Sequence, residues 1–187
     1  MSLENREFLQ EVMRKEIKDR KIPLSLGKTC PVKCTFCYEM DHSYRQTFDM
    51  PLTTQEDWDF ILNEIRAFPT RATESWVLGG NEYMEWTDLA LHPKAMDWIE
   101  EFLEKTDKNI IMFSVGYFDP KRINRLAEKY PGRINFELSV ITLGGYRKQL
   151  MPKGPSVNQV LEVLDGPAVT SANFYSFGPG TMSEDAK

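Results

Sequence analysis

Histidine and cysteine, the residues most often used for metal and nucleophile chemistry, are scarce in this chain: two and three among 187 residues. Two histidines leave no discernible Ser/His/Asp arrangement. Three cysteines, an odd number held in one short run, do not read as a disulfide framework. No apolar stretch approaches the length of a membrane span, and Met1-Ser2-Leu3-Glu4-Asn5-Arg6 lacks a signal-peptide pattern. A reducing cytoplasm is the expected setting. Basic residues are outnumbered, and the net charge of −5 disfavours non-specific binding to nucleic acid or anionic lipid. Low-complexity tracts, long linkers and internal repeats are absent as well. What remains is an ordinary globular composition, 41% hydrophobic and 27% charged, in a chain long enough for one substantial core. One domain over residues 1–187 is expected, with a lead-in helix over 1–20, βα repeats over 21–180 and a tail over 181–187.

Strand-like and helix-like segments alternate along the sequence. Residues 4–20 carry Phe8, Leu9, Val12, Met13 and Ile17 at helical spacing. Ile22-Pro23-Leu24-Ser25-Leu26 reads as a first strand ended by Gly27, with the cysteines in the loop beyond it. Thr53-x-x-Glu56 reads as a capping box before a helix with Trp58, Ile61, Leu62 and Ile65 on one face. Trp76-Val77-Leu78 is a second strand ending in Gly79-Gly80. A helix over 93–105 turns Met96, Ile99, Phe102 and Leu103 inward, and Ile110 to Phe113 is a third strand ending near Ser114-Val115-Gly116. Asp119-Pro120 opens a helix through Ile123 and Leu126. Ile134 to Ile141 is a fourth strand. Ser156 caps a helix that stops at Asp165-Gly166, and Val169 to Phe177 is a fifth strand closed by Gly178-Pro179-Gly180. Repeated βα units require parallel strands with crossovers of one hand, in an open doubly wound sheet or a barrel. In either, chemistry gathers at the carboxyl ends of the strands, and the cysteines, Gly79-Gly80, Ser114 and the stretch after Ser139 all fall there.

The cysteine run itself is Cys30-Pro31-Val32-Lys33-Cys34-Thr35-Phe36-Cys37, spaced C-x₃-C-x₂-C. Three thiolates are one too few for the usual four-cysteine iron–sulfur cluster, so a cubane held this way keeps one iron open to a small molecule. The competing reading is a Cys₃His zinc site completed by His42. Against zinc, the chain has apolar residues enough to fold without a staple, and the spacing lacks two separated ligand pairs.

With its aromatic residue before the last cysteine and its position after the first strand, the run resembles the signature of the radical S-adenosylmethionine superfamily. The resemblance spans strands one to five. It implies a partial (βα) barrel of about five parallel strands with outer helices, in which Cys30, Cys34 and Cys37 bind a [4Fe–4S] cluster. The cofactor S-adenosylmethionine would chelate the open iron through its amino and carboxylate groups, with Phe36 beside the adenine and Tyr38 a further cofactor contact. Gly79-Gly80-Asn81-Glu82 resembles the family's Gly-Gly-Glu, which receives the cofactor's ammonium; here the glutamate is displaced by one. Asn81 stands in its place with a side-chain oxygen that can still accept. Ser114, at the turn after strand three, is a further cofactor contact by the same match. Leu138-Ser139-Val140-Ile141-Thr142 and Arg147 resemble the fourth-strand region of the branch containing spore photoproduct lyase. By that match Ser139 faces the ribose or carboxylate, and Arg147 pairs with the cofactor carboxylate; the plainer reading of Arg147 is a loop salt bridge.

The resemblance implies reductive cleavage of S-adenosylmethionine to a 5′-deoxyadenosyl radical that abstracts hydrogen from a substrate, with an external flavodoxin- or ferredoxin-like electron donor. Two departures stand out. The sequence stops soon after strand five, so the sixth strand is missing or supplied by something else, and an open barrel suits a bulky substrate or a docked polypeptide. No further cysteine is available for accessory clusters or for a thiol hydrogen donor, which leaves Tyr38, Tyr83, Tyr117 or Tyr175. Two other readings stay open: a non-catalytic zinc or iron–sulfur module, and a truncated core that needs a partner. Elsewhere plain roles are expected, with His42 and His92 as loop and cap residues, Trp58, Trp98 and Phe102 as core, and Glu100, Glu101 and Glu104 as a solvated face.

Overall fold

The computed structural model of the chain describes residues 3–27, 32, 34, 51–69, 74–79 and 88–174. It begins with helix α1 (Leu3–Lys18), which buries Leu9, Val12, Met13 and Ile17. Phe8, counted with that face from its spacing, is instead 45% exposed. Strand β1 (Lys21–Ile22) is shorter than the expected Ile22–Leu26. Pro23 has no N–H to give to a ladder. Leu24 and Leu26 are buried all the same, and Leu26 forms an isolated antiparallel bridge with Leu52. Gly27 has φ +65°, and a Cβ there would run into the backbone nitrogen of Leu52, so only glycine allows the two segments to meet.

Helix α2 (Gln55–Ala67) starts one residue later than the sequence suggests. The capping box is Thr54 with Asp57: Asp57 N–H donates to Thr54 Oγ1 at 3.2 Å, and Thr54 N–H donates to Asp57 Oδ2 at 2.9 Å. Thr53 is engaged elsewhere, because its Oγ1 accepts from Ser25 N–H at 2.7 Å. Then follow β2 (Ser75–Leu78), a 3₁₀ turn (Leu89–Leu91), α3 (Ala95–Lys105), β3 (Asn109–Ser114) and α4 (Pro120–Lys129). Asp119 caps α4 through the N–H groups of Lys121 and Arg122, with Pro120 at the first helical position as expected. The rest is β4 (Ile134–Val140), a single-turn helix α5 (Arg147–Leu150), α6 (Val157–Leu164) capped by Ser156, and β5 (Val169–Phe174). The expected continuation of strand five to Phe177 and Gly178-Pro179-Gly180 lie outside the described residues.

Among the described residues five strands form one parallel sheet in chain order, β1-β2-β3-β4-β5. Trp76, Leu78, Ile110, Met112, Ile134, Phe136, Leu138 and Val140 are buried on one face of the sheet. The helices pack in succession, α1 on α2, α2 on α3, α3 on α4 and α4 on α6. Alternate residues, among them Val77, Ile111, Asn135, Glu137 and Ser139, are only half-buried on the other face, and Phe113 is 41% exposed. A strand order without reversal and a continuous run of helices are compatible with a partial barrel, whereas a doubly wound sheet reverses its order and covers both faces.

The core is aromatic where α2 meets α3. Trp58 and Trp98 stack with ring centroids 5.2 Å apart and planes 10° from parallel. Trp58 Nε1–H donates to Glu101 at 2.6 Å, and Trp98 Nε1–H donates to Gln55 at 3.1 Å. Glu101 is therefore part of the α2–α3 contact, not merely solvated. Glu100 and Glu104 pair with Lys129 of α4, and Arg122 joins Asp97 at 2.6 Å. Among the described residues no helix is long and apolar enough to cross a membrane.

Candidate cofactor site at the carboxyl ends of the strands

A second, smaller apolar cluster sits apart from the main core. Val32, Ile141 and Met151 are its buried members, and Cys34, Leu91, Val115, Tyr117 and Leu150 pack against it. It joins a cysteine-loop residue to the segments that follow β3 and β4. Cys34 is half-buried there. Cys30 and Cys37 lie outside the described residues, as do Phe36, Tyr38, His42, Gly80, Asn81 and Glu82. Among the described residues no group of three or more His, Cys, Asp or Glu side chains could hold a metal ion.

Arg147 lies beside this cluster, and it is 6% exposed. Its Nε–H donates to Pro155 O at 3.0 Å and its Nη1 donates to Thr142 O at 2.7 Å. Nη2 is buried and has no hydrogen-bond partner among the described residues. Burial pushes the guanidinium below the usual arginine value, and the charges of Cys34 and Tyr117 oppose that shift. Among the described residues two backbone carbonyls hold Arg147, and no carboxylate pairs with it. A buried cation held by neutral acceptors, with a donor left over, is an arrangement stabilised by an anion.

Gly79 ends β2 with φ +111° and donates its N–H to Ile22 O at 3.1 Å. A Cβ at this position would come within 2.9 Å of Leu89 Cδ1, a side-chain tip that can move, so it is the dihedral that calls for glycine. Ser114 points with Ile110 and Met112 to the helix side of the sheet, and its hydroxyl has local work. It donates to Asp88 Oδ2 at 2.8 Å and accepts from the N–H groups of Gly116 at 3.0 Å and Tyr117 at 3.2 Å. Ser139 is half-buried on the opposite face, in register with Asn173. Cys34 and Arg147 are thus brought together, while Ser114 and Ser139 are turned to different faces of the sheet.

Asp88 went unnoticed in the sequence, although an acidic residue before Leu89-Ala90-Leu91 is a cap signal. Its Oδ2 also accepts from Val115 N–H at 2.8 Å, and Oδ1 accepts from Ala90 N–H at 3.1 Å. Burial pushes its carboxyl up to about 6, against the lowering effect of those hydrogen bonds with Val115, Ser114 and Ala90. His92 is a strut, as expected of a cap residue. Nδ1 accepts from Lys94 N–H at 3.1 Å, so Nε2 carries the proton it shares with Thr53 O at 3.2 Å. Burial pushes its pKa below the ordinary 6.5.

The described part of the site, one thiol and one buried guanidinium, suits a thiolate-ligated group and a carboxylate. Cys34 stands in an apolar shell, and the buried guanidinium beside it has a donor with no partner among the described residues. In comparison with known proteins, no family model, curated protein or solved structure matches the chain.

Proposed function

We propose that this chain is a radical S-adenosylmethionine enzyme built on a partial barrel, with its cofactor at the carboxyl ends of the strands. The observation that carries the reading is the convergence of Cys34 and Arg147, two residues singled out separately in the sequence and far apart along it. Cys30, Cys34 and Cys37 would ligate a [4Fe–4S] cluster, and Arg147 Nη2 would receive the cofactor carboxylate. Gly79 and Gly80 would allow a close backbone approach, Asn81 and Glu82 would offer oxygens to the ammonium, Phe36 would lie beside the adenine with Tyr38 as a further contact, and Ser139 would serve the ribose or carboxylate. When bound, the cluster and cofactor supply a 5′-deoxyadenosyl radical by reductive cleavage of S-adenosylmethionine. The chain's own part is to hold the thiolates in an apolar shell, neutralise the carboxylate and exclude water. The open sheet face would accept the substrate, and a flavodoxin- or ferredoxin-like protein of the cytoplasm would deliver the electron.

Anaerobically reconstituted protein treated with dithionite and S-adenosylmethionine tests the reading. Release of 5′-deoxyadenosine and methionine supports it. Cluster incorporation without cleavage points to a truncated core that needs a partner, and zinc retention without iron points to a structural module.

A further inference from the structure

Besides the cysteine loop and the residues after β4, the second apolar cluster draws on two short segments. Leu91 comes from the 3₁₀ turn after β2, and Val115 and Tyr117 come from the turn after β3. One side chain ties them. Asp88 Oδ1 takes Ala90 N–H of the first segment, and Oδ2 takes both Val115 N–H and the Ser114 hydroxyl of the second. The Ser114 hydroxyl, its proton committed to Asp88, presents its lone pairs to Gly116 and Tyr117 N–H. The carboxylate thereby organises the 114–117 turn at two removes. We infer that Asp88 is a positioning residue, a clamp that holds the Leu91 and Val115–Tyr117 walls around Cys34. The inference rests on the proposed reading only in treating Cys34 as a cluster ligand. Keeping a half-buried carboxylate that burial disfavours as an anion makes sense where a neutral cap would not gather three donors on two oxygens.

The test uses two readouts that need no cluster. Hydrogen exchange on the protein as purified reports the 114–117 turn, and iodoacetamide labelling after chelation and reduction, mapped by peptide mass spectrometry, reports the wall around Cys34. In Asp88→Ala the amides of Val115, Gly116 and Tyr117 should exchange about tenfold faster or more, as expected for loss of buried hydrogen bonds. Cys34 should alkylate severalfold faster. Asp88→Asn, whose single amide oxygen can still accept from Ser114 and Val115, should restore both towards wild type. If Asp88→Ala does not fold, Ser114→Ala should deprotect Gly116 and Tyr117 while leaving Val115 protected. Unchanged exchange in the variants would overturn the clamp, and faster exchange with unchanged Cys34 labelling would overturn its link to the site. A wild-type chain that takes up no iron would instead sink the cofactor reading and leave both readouts valid.

Discussion

Cys34 and Arg147 meet at one corner of the molecule, the thiol half-buried in an apolar cluster and the guanidinium buried beside it with one nitrogen unpartnered among the described residues. Neither the cysteine loop nor the segment after β4 would place them there alone. The parallel order of β2, β3 and β4 brings the carboxyl ends of these strands together. The short helix α5 then turns Arg147 inward, where Thr142 and Pro155 carbonyls brace it.

Arg147→Met follows from that geometry. The variant removes the unused donor, and a charge-assisted hydrogen bond is worth about 1.5–3 kcal/mol. Affinity for S-adenosylmethionine, read by calorimetry on reconstituted protein, should fall by roughly tenfold to a hundredfold. Unchanged affinity would remove Arg147 from the site.

Much of this was legible from spacing alone. The inward faces of α2 and α3, most of that of α1, the Asp119-Pro120 and Ser156 caps, and the strands from β2 to β5 follow local patterns that the packing respects; on α6 the helical spacing puts Val157, Val160, Leu161 and Leu164 inward, but Val160 and Val163 are the buried pair and Leu161 is exposed. The misses are non-local. Thr53 yields the capping role to Thr54 because Ser25, distant in sequence, occupies its hydroxyl. The strand expected through Leu26 breaks at Pro23. The shift of Ser114 from ligand candidate to turn organiser depends on Asp88, a residue whose partners no period reveals.

Asp88 sets a pH dependence. Its folded-state value of about 6 lies above the ordinary 3.8, so between those values the folded chain keeps a proton that the unfolded chain has released. Its contribution to stability therefore falls as pH rises from 3.8 to about 6, and the loss persists above that window. Asp88→Asn should flatten this part of the curve, because the variant has no carboxyl to titrate. Urea titrations between pH 4 and 8 would show it, and parallel curves for the two proteins would refute it.

Trp58 and Trp98 form the stacked centre of the α2–α3 contact. Truncating Trp58 to alanine removes the stack and the bond to Glu101, and such changes cost about 3–5 kcal/mol. Trp58→Phe should cost less, because it keeps the ring. Equal urea midpoints for the two variants would contradict this ordering.

Gly79→Ala places a Cβ on a backbone at φ +111° and against Leu89. The expected loss is about 1–3 kcal/mol of stability, mostly from the dihedral, since the Leu89 tip can move. A thermal melt indistinguishable from wild type would show that the end of β2 adopts another conformation.

The central claim is that the three cysteines carry an open-site iron–sulfur cluster. Iron, sulfide and zinc content, with a visible spectrum, measured on protein reconstituted without oxygen and on Cys34→Ala, tests it most directly. The account expects about four irons per wild-type chain, a spectrum altered by S-adenosylmethionine, and loss of the cluster in the variant. A colourless protein holding zinc, or full iron content in Cys34→Ala, would contradict it.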